Sequence, residues 1–413
     1  MRSSRACSMG LQIEADRPDA AAALHALAND VFAEGGAVRA GTVFRAVRGD
    51  LSVHHRIAGA PLDARLIDVP LGCLPPTAAF RLTLRRGRLR AARDPSGPVV
   101  SDVQARTFER LIDLYNALDK SWQWARQSPW LTLWDDPALL CHLAHADRPV
   151  GRPRALQLYQ ARAWTQLLVH SFIRSRAFAL RPQAGGGLAT DVLLPLLDAL
   201  DHHDAAGQFQ RAQRPQPDGG TLPVLGVPTT QPVAGSDACR AAYNVLDPQL
   251  ALQHYGFLDA SAPYLLSVPA RVQLEAGATL CVLAATGRFH DPLPADQAPL
   301  RPWMPRVLRG PPDVLAVTRL PMPPRGEADR VQAVLRTLIA RHWPQWGDAR
   351  CAAAAARAEG ALLAANQRYH ARLVDLLAAA YRRSGRGDVP GRRATLAALD
   401  RLTVRADRHF ANC

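Results

Sequence analysis

Three short segments gather most of the side chains that could do chemistry. The first is Ser171–Phe178, reading SFIRSRAF; the second runs Leu194-Pro-Leu-Leu-Asp198-Ala-Leu-Asp201-His202-His203. The third is Ala242-Tyr243-Asn244, followed by Leu252-Gln-His-Tyr255-Gly256-Phe257. Arg176 offers a planar, permanently charged fork that matches an anion such as a carboxylate. Asp198 and Asp201 offer anionic acceptors, His202 an imidazole, and Tyr243, Tyr255 and Phe257 aromatic rings. Each has an ordinary structural reading: an arginine such as Arg176 more often forms a surface ion pair, Asp198 can cap a helix, and Tyr243 can be a half-buried core ring. His202-His203-Asp204 has the ligand types of a metal cluster but no third separated ligand, so no metal site is expected. The signal lies in the order and spacing of the three segments together.

The elements that must position them are short. Residues 20–35 fit a helix stopped by Gly35-Gly36. Short strand-like runs follow at Val43-Phe44, Leu51–Val53 and Leu66–Pro70, while Phe80–Leu84 alternates but is also compatible with helix. Residues 103–178 read as helical, with Phe108, Leu111, Ile112, Tyr115 and Leu118 at helical spacing and a last helix over 157–178. Trp122, Trp124, Trp130 and Trp134 inside that stretch are expected in the core. Residues 183–240 read as Gly/Pro-rich loop with short extended pieces and one apolar segment, Val192–Leu197. Two alternating runs between Val268 and Ala284 suggest paired strands, and Leu335, Leu338, Leu362, Leu373 and Leu377 mark a helical end.

Composition narrows the class. With 413 residues and 48% hydrophobic content, an ordered chain with a sizeable core is expected. The formal net charge is +14, yet lysine occurs once, at Lys120, so the charge is almost all arginine. Those arginines are scattered along the chain, and a nucleic-acid role is not expected despite the basicity. The seven cysteines are far apart and odd in number, without a zinc spacing or a disulfide framework. The first twenty residues lack an apolar core, and no run of about 18 uncharged apolar residues follows. A cytoplasmic monomer that neither spans nor binds a membrane is the expectation.

Ser175-Arg176-Ala177-Phe178, the Leu194-Pro195…Asp198…Asp201-His202 run, Tyr243-Asn244 and Tyr255-Gly256-Phe257 together resemble the SET-domain protein methyltransferases of the RuBisCO large-subunit methyltransferase class. Arg48-Gly49 stands where the family has a G-x-G turn, with its first Gly missing. Asp201 replaces the family's Asn, and Asn244 replaces a Gly, Asn being the residue after Gly best suited to positive φ. The resemblance implies an α+β fold: a SET-type, β-rich catalytic domain of short strands with a helical insertion, then an all-helical C-terminal domain. Its boundaries here are an N-terminal segment and helix at 1–35, the catalytic domain at 36–285 with the insertion at about 103–178, a Pro/Arg-rich linker at 286–326, and a substrate-binding-like helical domain at 327–413.

The resemblance also implies an activity, methyl transfer from S-adenosyl-L-methionine to a lysine of a protein substrate. Arg48, Gly49, Arg176, Asp198, Asp201 and His202 would then hold the donor, Arg176 on its carboxylate and Asp201 on its ammonium. Tyr243 would orient the acceptor amine beside the methyl, and Tyr255 and Phe257 would line the channel for the lysine stem. The three departures from the family pattern keep a second class open: a SET-like binding module or scaffold without turnover.

Overall fold

The computed structural model describes residues 11–56, 65–146, 154–181, 189–228, 238–324, 327, 329–383 and 389–410. Residues 1–10 of the N-terminal stretch that lacks an apolar core lie outside them, as do Cys7 and Cys413. The architecture is α+β, with short strands and a helical C-terminal region. The chain forms two compact units, Met1–Ala125 with Thr165–Tyr243, and Arg126–Trp164 with Asn244–Cys413.

In the first unit, helix Pro18–Ala33 packs on helix Asp102–Ala117, and Asp30 receives Arg110 at 3.2 Å across the pair. The second helix starts in a full capping box: the Ser101 hydroxyl accepts from the Gln104 N–H, and the Gln104 side chain accepts from the Ser101 N–H. Strand Gln12–Ala15 lies parallel to Thr42–Val47, which turns back into Asp50–His55. Both loop residues of that hairpin have positive φ, Arg48 at 54° and Gly49 at 77°, as a type I′ turn demands. A four-stranded sheet joins Gln210–Pro215, Thr221–Pro228, Arg65–Pro70 and Ala37–Val38. Smaller pairs are Phe80–Arg85 with Arg88–Arg93, Ala177–Leu180 with Thr190–Leu193, and Asp201–His202 with Arg240–Ala241.

The second unit holds a sheet of Ala270–Glu275, Ala278–Val282, Val314–Val317 and Val307–Leu308, with helices Asp329–His342, Asp348–Arg383 and Arg392–Phe410. A fully buried Asp136 carboxylate binds Arg383 at 2.8 Å and Arg392 at 3.2 Å. One acid thereby ties the start of helix Pro137–Ala146 to the end of one long helix and the start of the next.

Several expectations change. The 286–326 segment is not a bare linker: Val314–Val317 is an interior strand of the four-stranded sheet, and Pro321–Met322 pairs with Leu265–Leu266. Proline and arginine hid strands that are only two to four residues long. The 103–178 stretch is not one lobe. It breaks into helices ending with Trp164–Arg174, and only 126–164 belongs to the second unit. The expected 157–178 helix is interrupted at Arg162, φ 53°, and Ala177-Phe178 are strand. Residues 210–228, read as loop with short extended pieces, form a regular hairpin whose Gly219 takes φ 83° at the turn. Of the four tryptophans only Trp124 is fully buried, its indole N–H donating to Ser171 at 2.9 Å, while Trp122 is 42% exposed.

Candidate functional site

The first unit holds a buried ion pair. The Arg176 guanidinium reaches Asp198 Oδ2 at 3.3 Å, and both side chains are more than four-fifths buried, at 17% and 16% exposure. The guanidinium rests against two rings that meet edge to face, 4.6 Å from the Phe172 centroid and 5.1 Å from that of Tyr115. The Tyr115 hydroxyl donates to Asp198 at 3.0 Å. Burial pushes the Asp198 carboxyl up, while Arg176 and the Tyr115 hydrogen bond pull it back down. Burial and the neighbouring Asp198 raise Tyr115 well above an ordinary tyrosine, so its hydroxyl keeps its proton and stays a donor. The Arg176 Nε atom is buried and finds no hydrogen-bond partner among the described residues.

A strained turn aims Asp198. Leu196 has φ 61° and ψ −37°, and the Leu197 N–H returns to the Pro195 carbonyl at 2.7 Å. This is the γ-turn of positive φ, costing about 1–3 kcal/mol for a residue with a side chain. The buried Leu196 and Leu197 side chains hold it in place.

Above the ion pair sit two groups that sequence reasoning did not single out. Lys120 Nζ donates to Asp50 Oδ1 at 2.9 Å; the lysine side chain is 12% exposed and the aspartate 74%. The 48–49 turn explains the meeting. A side chain at Gly49 would stand 2.9 Å from the Leu118 carbonyl and closer still to Gln123, so only glycine lets the hairpin tip close on the junction that carries Lys120. Burial, then the charge of Arg176, holds the Lys120 ammonium below an ordinary lysine, against Asp50. The one available signal was composition: a single lysine in a chain of arginines.

Asp201 completes the cluster. Its side chain is open to solvent, yet the protein packed around it, and next the charge of Asp50, raises its carboxyl; Lys120, Arg240 and His54 oppose the shift. His202 accepts the Tyr243 N–H on Nδ1 at 3.2 Å, which leaves the ring proton on Nε2. Tyr243 stacks on Phe209 at 6.2 Å, and its hydroxyl donates to the Leu200 carbonyl.

Arg48, Gly49, Arg176, Asp198, Asp201, His202 and Tyr243 thus all belong to the first unit. Gly49 acts by admitting close backbone approach, and Arg48 by supplying the other positive-φ residue of the turn, its N–H on Asp16. Tyr255 and Phe257 belong to the second unit, on either side of Gly256, which caps helix Pro248–Tyr255 at φ 75°. Asn244 does not take positive φ; its side-chain oxygen accepts from the Val245 N–H at 2.8 Å, a bond glycine could not make. Among the described residues no group of three or more His, Cys, Asp or Glu side chains could hold a metal ion. Among the same residues no helix is long and apolar enough to cross a membrane.

No protein-family model matches the chain, and no curated protein matches it. Among solved structures, the chain is similar to one described as the SET domain of LSMT bound to lysine and AdoHcy, at 11% identity and a TM-score of 0.36, over 87% of this chain and 93% of that one. A second, the SET domain of LSMT bound to MeLysine and AdoHcy, gives 10% identity and 0.35 over 94% and 93%. A third, Rubisco LSMT bound to AdoMet, gives 12% and 0.36 over 86% and 93%. Likeness at this level carries no functional weight.

Proposed function

We propose that the chain is a SET-type, S-adenosyl-L-methionine-dependent methyltransferase acting on a lysine of a protein substrate, with its donor site in the first unit. The observation that carries this is the buried Arg176–Asp198 pair, with the solvent-open Asp201 on a short strand and the aromatic Tyr243 two residues past that strand's partner. The residues fit the donor: the Arg176 Nε is a buried polar atom still wanting a partner, and Asp201 is an acceptor for a cation. When bound, the donor supplies an electrophilic methyl on a sulfonium. Arg176 places fixed positive charge at the floor of the site, held by Asp198 and its two flanking rings. Asp201 accepts from an ammonium, and its negative charge matches a cation better than the neutral Asn of the family pattern would. Tyr243 positions the acceptor amine through its hydroxyl oxygen, which keeps acceptor capacity while its proton goes to Leu200. His202 holds the Tyr243 backbone by accepting its N–H.

Calorimetry with S-adenosylhomocysteine tests the donor site, since a ligand of the native state must bind measurably and raise the melting temperature. Absence of both at saturating ligand sinks the proposal. Asp201→Asn should change donor affinity, and Tyr243→Phe should cut methyl transfer by more than about tenfold while donor binding stays near wild type.

A second reading, a SET-like binding module without turnover, is favoured by the Tyr243 hydroxyl being donated to a backbone carbonyl. It predicts donor binding with no labelled product when the protein meets labelled donor and a lysate of its own source.

A further inference from the structure

We infer that Lys120, working with Asp50, is the anchor for a zwitterionic α-amino-acid headgroup: Lys120 takes its carboxylate, and Asp50 with Asp201 takes its ammonium. This rests on the donor-binding reading above and assigns the end of the donor that lies against this cluster.

In a chain where arginine has taken almost every cationic position, Lys120 is the one lysine, and it stands inside the charged cluster rather than on the open surface. Lysine differs from arginine there in a definite way: a compact point charge on a slim stem, able to change partners without presenting a planar fork. Arg176 lacks that freedom. Its guanidinium rests against Phe172 and Tyr115 and one terminal nitrogen is engaged by Asp198, so its charge is fixed where it stands.

The partners of Lys120 supply the rest. Its hydrogen-bonded carboxylate, Asp50, is mostly solvent-exposed and sits at a hairpin tip, so it can turn away from the ammonium at little cost. Asp50 and Asp201 bear on each other as like charges, which leaves two repelling acids beside one cation. A headgroup resolves this imbalance. Its carboxylate replaces Asp50 on Lys120, and its ammonium bridges the two released acids. One ion pair becomes two, and a cation then lies between the two acids. A ligand lacking the headgroup gains none of this.

Two measurements test the assignment on the full chain. In the first, S-adenosylhomocysteine and 5′-methylthioadenosine, which lacks the amino-acid headgroup, are titrated into wild type and Lys120→Met. The substitution should weaken the first ligand by about tenfold or more and the second by less than about twofold. Equal losses for both ligands, or none for the first, overturn the inference. The second needs no variant and stands even if Lys120→Met does not fold. Protein grown with 13C-lysine carries a single lysine Cε–Hε signal. That signal should move on saturation with S-adenosylhomocysteine and hold still with 5′-methylthioadenosine; a still signal with the first, or equal shifts with both, overturns it. Wild type that binds neither ligand sinks the donor-binding proposal itself. Wild type that binds S-adenosylhomocysteine with an unmoved Lys120 signal sinks only the anchor.

Discussion

Asp198 carries the most consequence of any single residue in the first unit. It neutralises Arg176 in a place where neither side chain has much water, and it takes the Tyr115 hydroxyl as well. Removing one partner of such a pair leaves the other charged and buried, which is costlier than never having had either. Asp198→Asn should therefore destabilise the fold by about 3 kcal/mol, read as a lower midpoint in urea unfolding with the slope unchanged. A loss below about 1 kcal/mol would show that Arg176 finds solvent or another acceptor when Asp198 is gone. Arg176, Asp198, Asp201 and Tyr243 were all legible in the sequence, because a motif keeps its members within reach along the chain. Asp50, Lys120 and Tyr115 were not. They lie between 81 and 151 residues ahead of Asp201, and nothing local marks Tyr115 as more than a core ring.

At the scale of elements, the 42–55 hairpin shows how a packing constraint serves the site. Its two-residue turn places Asp50 beside Lys120 only because Gly49 has no Cβ where the Leu118 carbonyl comes close. Gly49→Ala has to displace Gln123, break its bond to the Leu118 carbonyl and hold an alanine at positive φ. We expect a loss of about 2 kcal/mol or more, together with weaker donor binding as the hairpin tip lifts from Lys120. Unchanged donor affinity in a destabilised variant would separate the turn's structural part from any part in the site. Ser101→Ala gives a useful scale for comparison: it removes one half of a capping box far from these charges and should cost about 1 kcal/mol with no effect on donor binding. Helices with an apolar stripe, such as Asp102–Ala117, were readable in outline from spacing alone. The strands at Gln210–Pro215 and Val307–Leu308 were not, since the first carries mostly polar residues with a proline and the second is only two residues long. The division at 126 and 164 has no local mark either; helix spacing continues past both positions while the packing partners change.

The molecule as a whole sets its stability through two units that draw on different groups. The second unit buries His370 and His409: His370 is pushed down to about 3 by burial, reinforced by His142 and His409, and His409 is itself lowered chiefly by burial. A histidine whose folded pKa lies below its unfolded value of 6.5 takes up a proton first in the unfolded chain. Its neutral form is therefore no handicap above pH 6.5, and stability is lost progressively as pH falls from there toward 3. At about 1.4 kcal/mol per pH unit, His370 alone removes roughly 2–3 kcal/mol between pH 6.5 and 4.5. Buried carboxyls with raised pKa, Asp247 among them, act with the opposite sign, because their folded form binds the proton more readily. The contribution of His370 is isolated by His370→Phe, which keeps a ring against Phe410, now 5.2 Å from the imidazole and nearly parallel to it. Urea midpoints measured across that pH range should fall steeply for wild type and less steeply for the variant. Parallel slopes for the two proteins would mean that His370 gains a partner or water when it is protonated. Two units also need not melt as one. A donor ligand stabilises only the state that contains its site, so acid should lower the transition that S-adenosylhomocysteine leaves unmoved more than the transition that it raises.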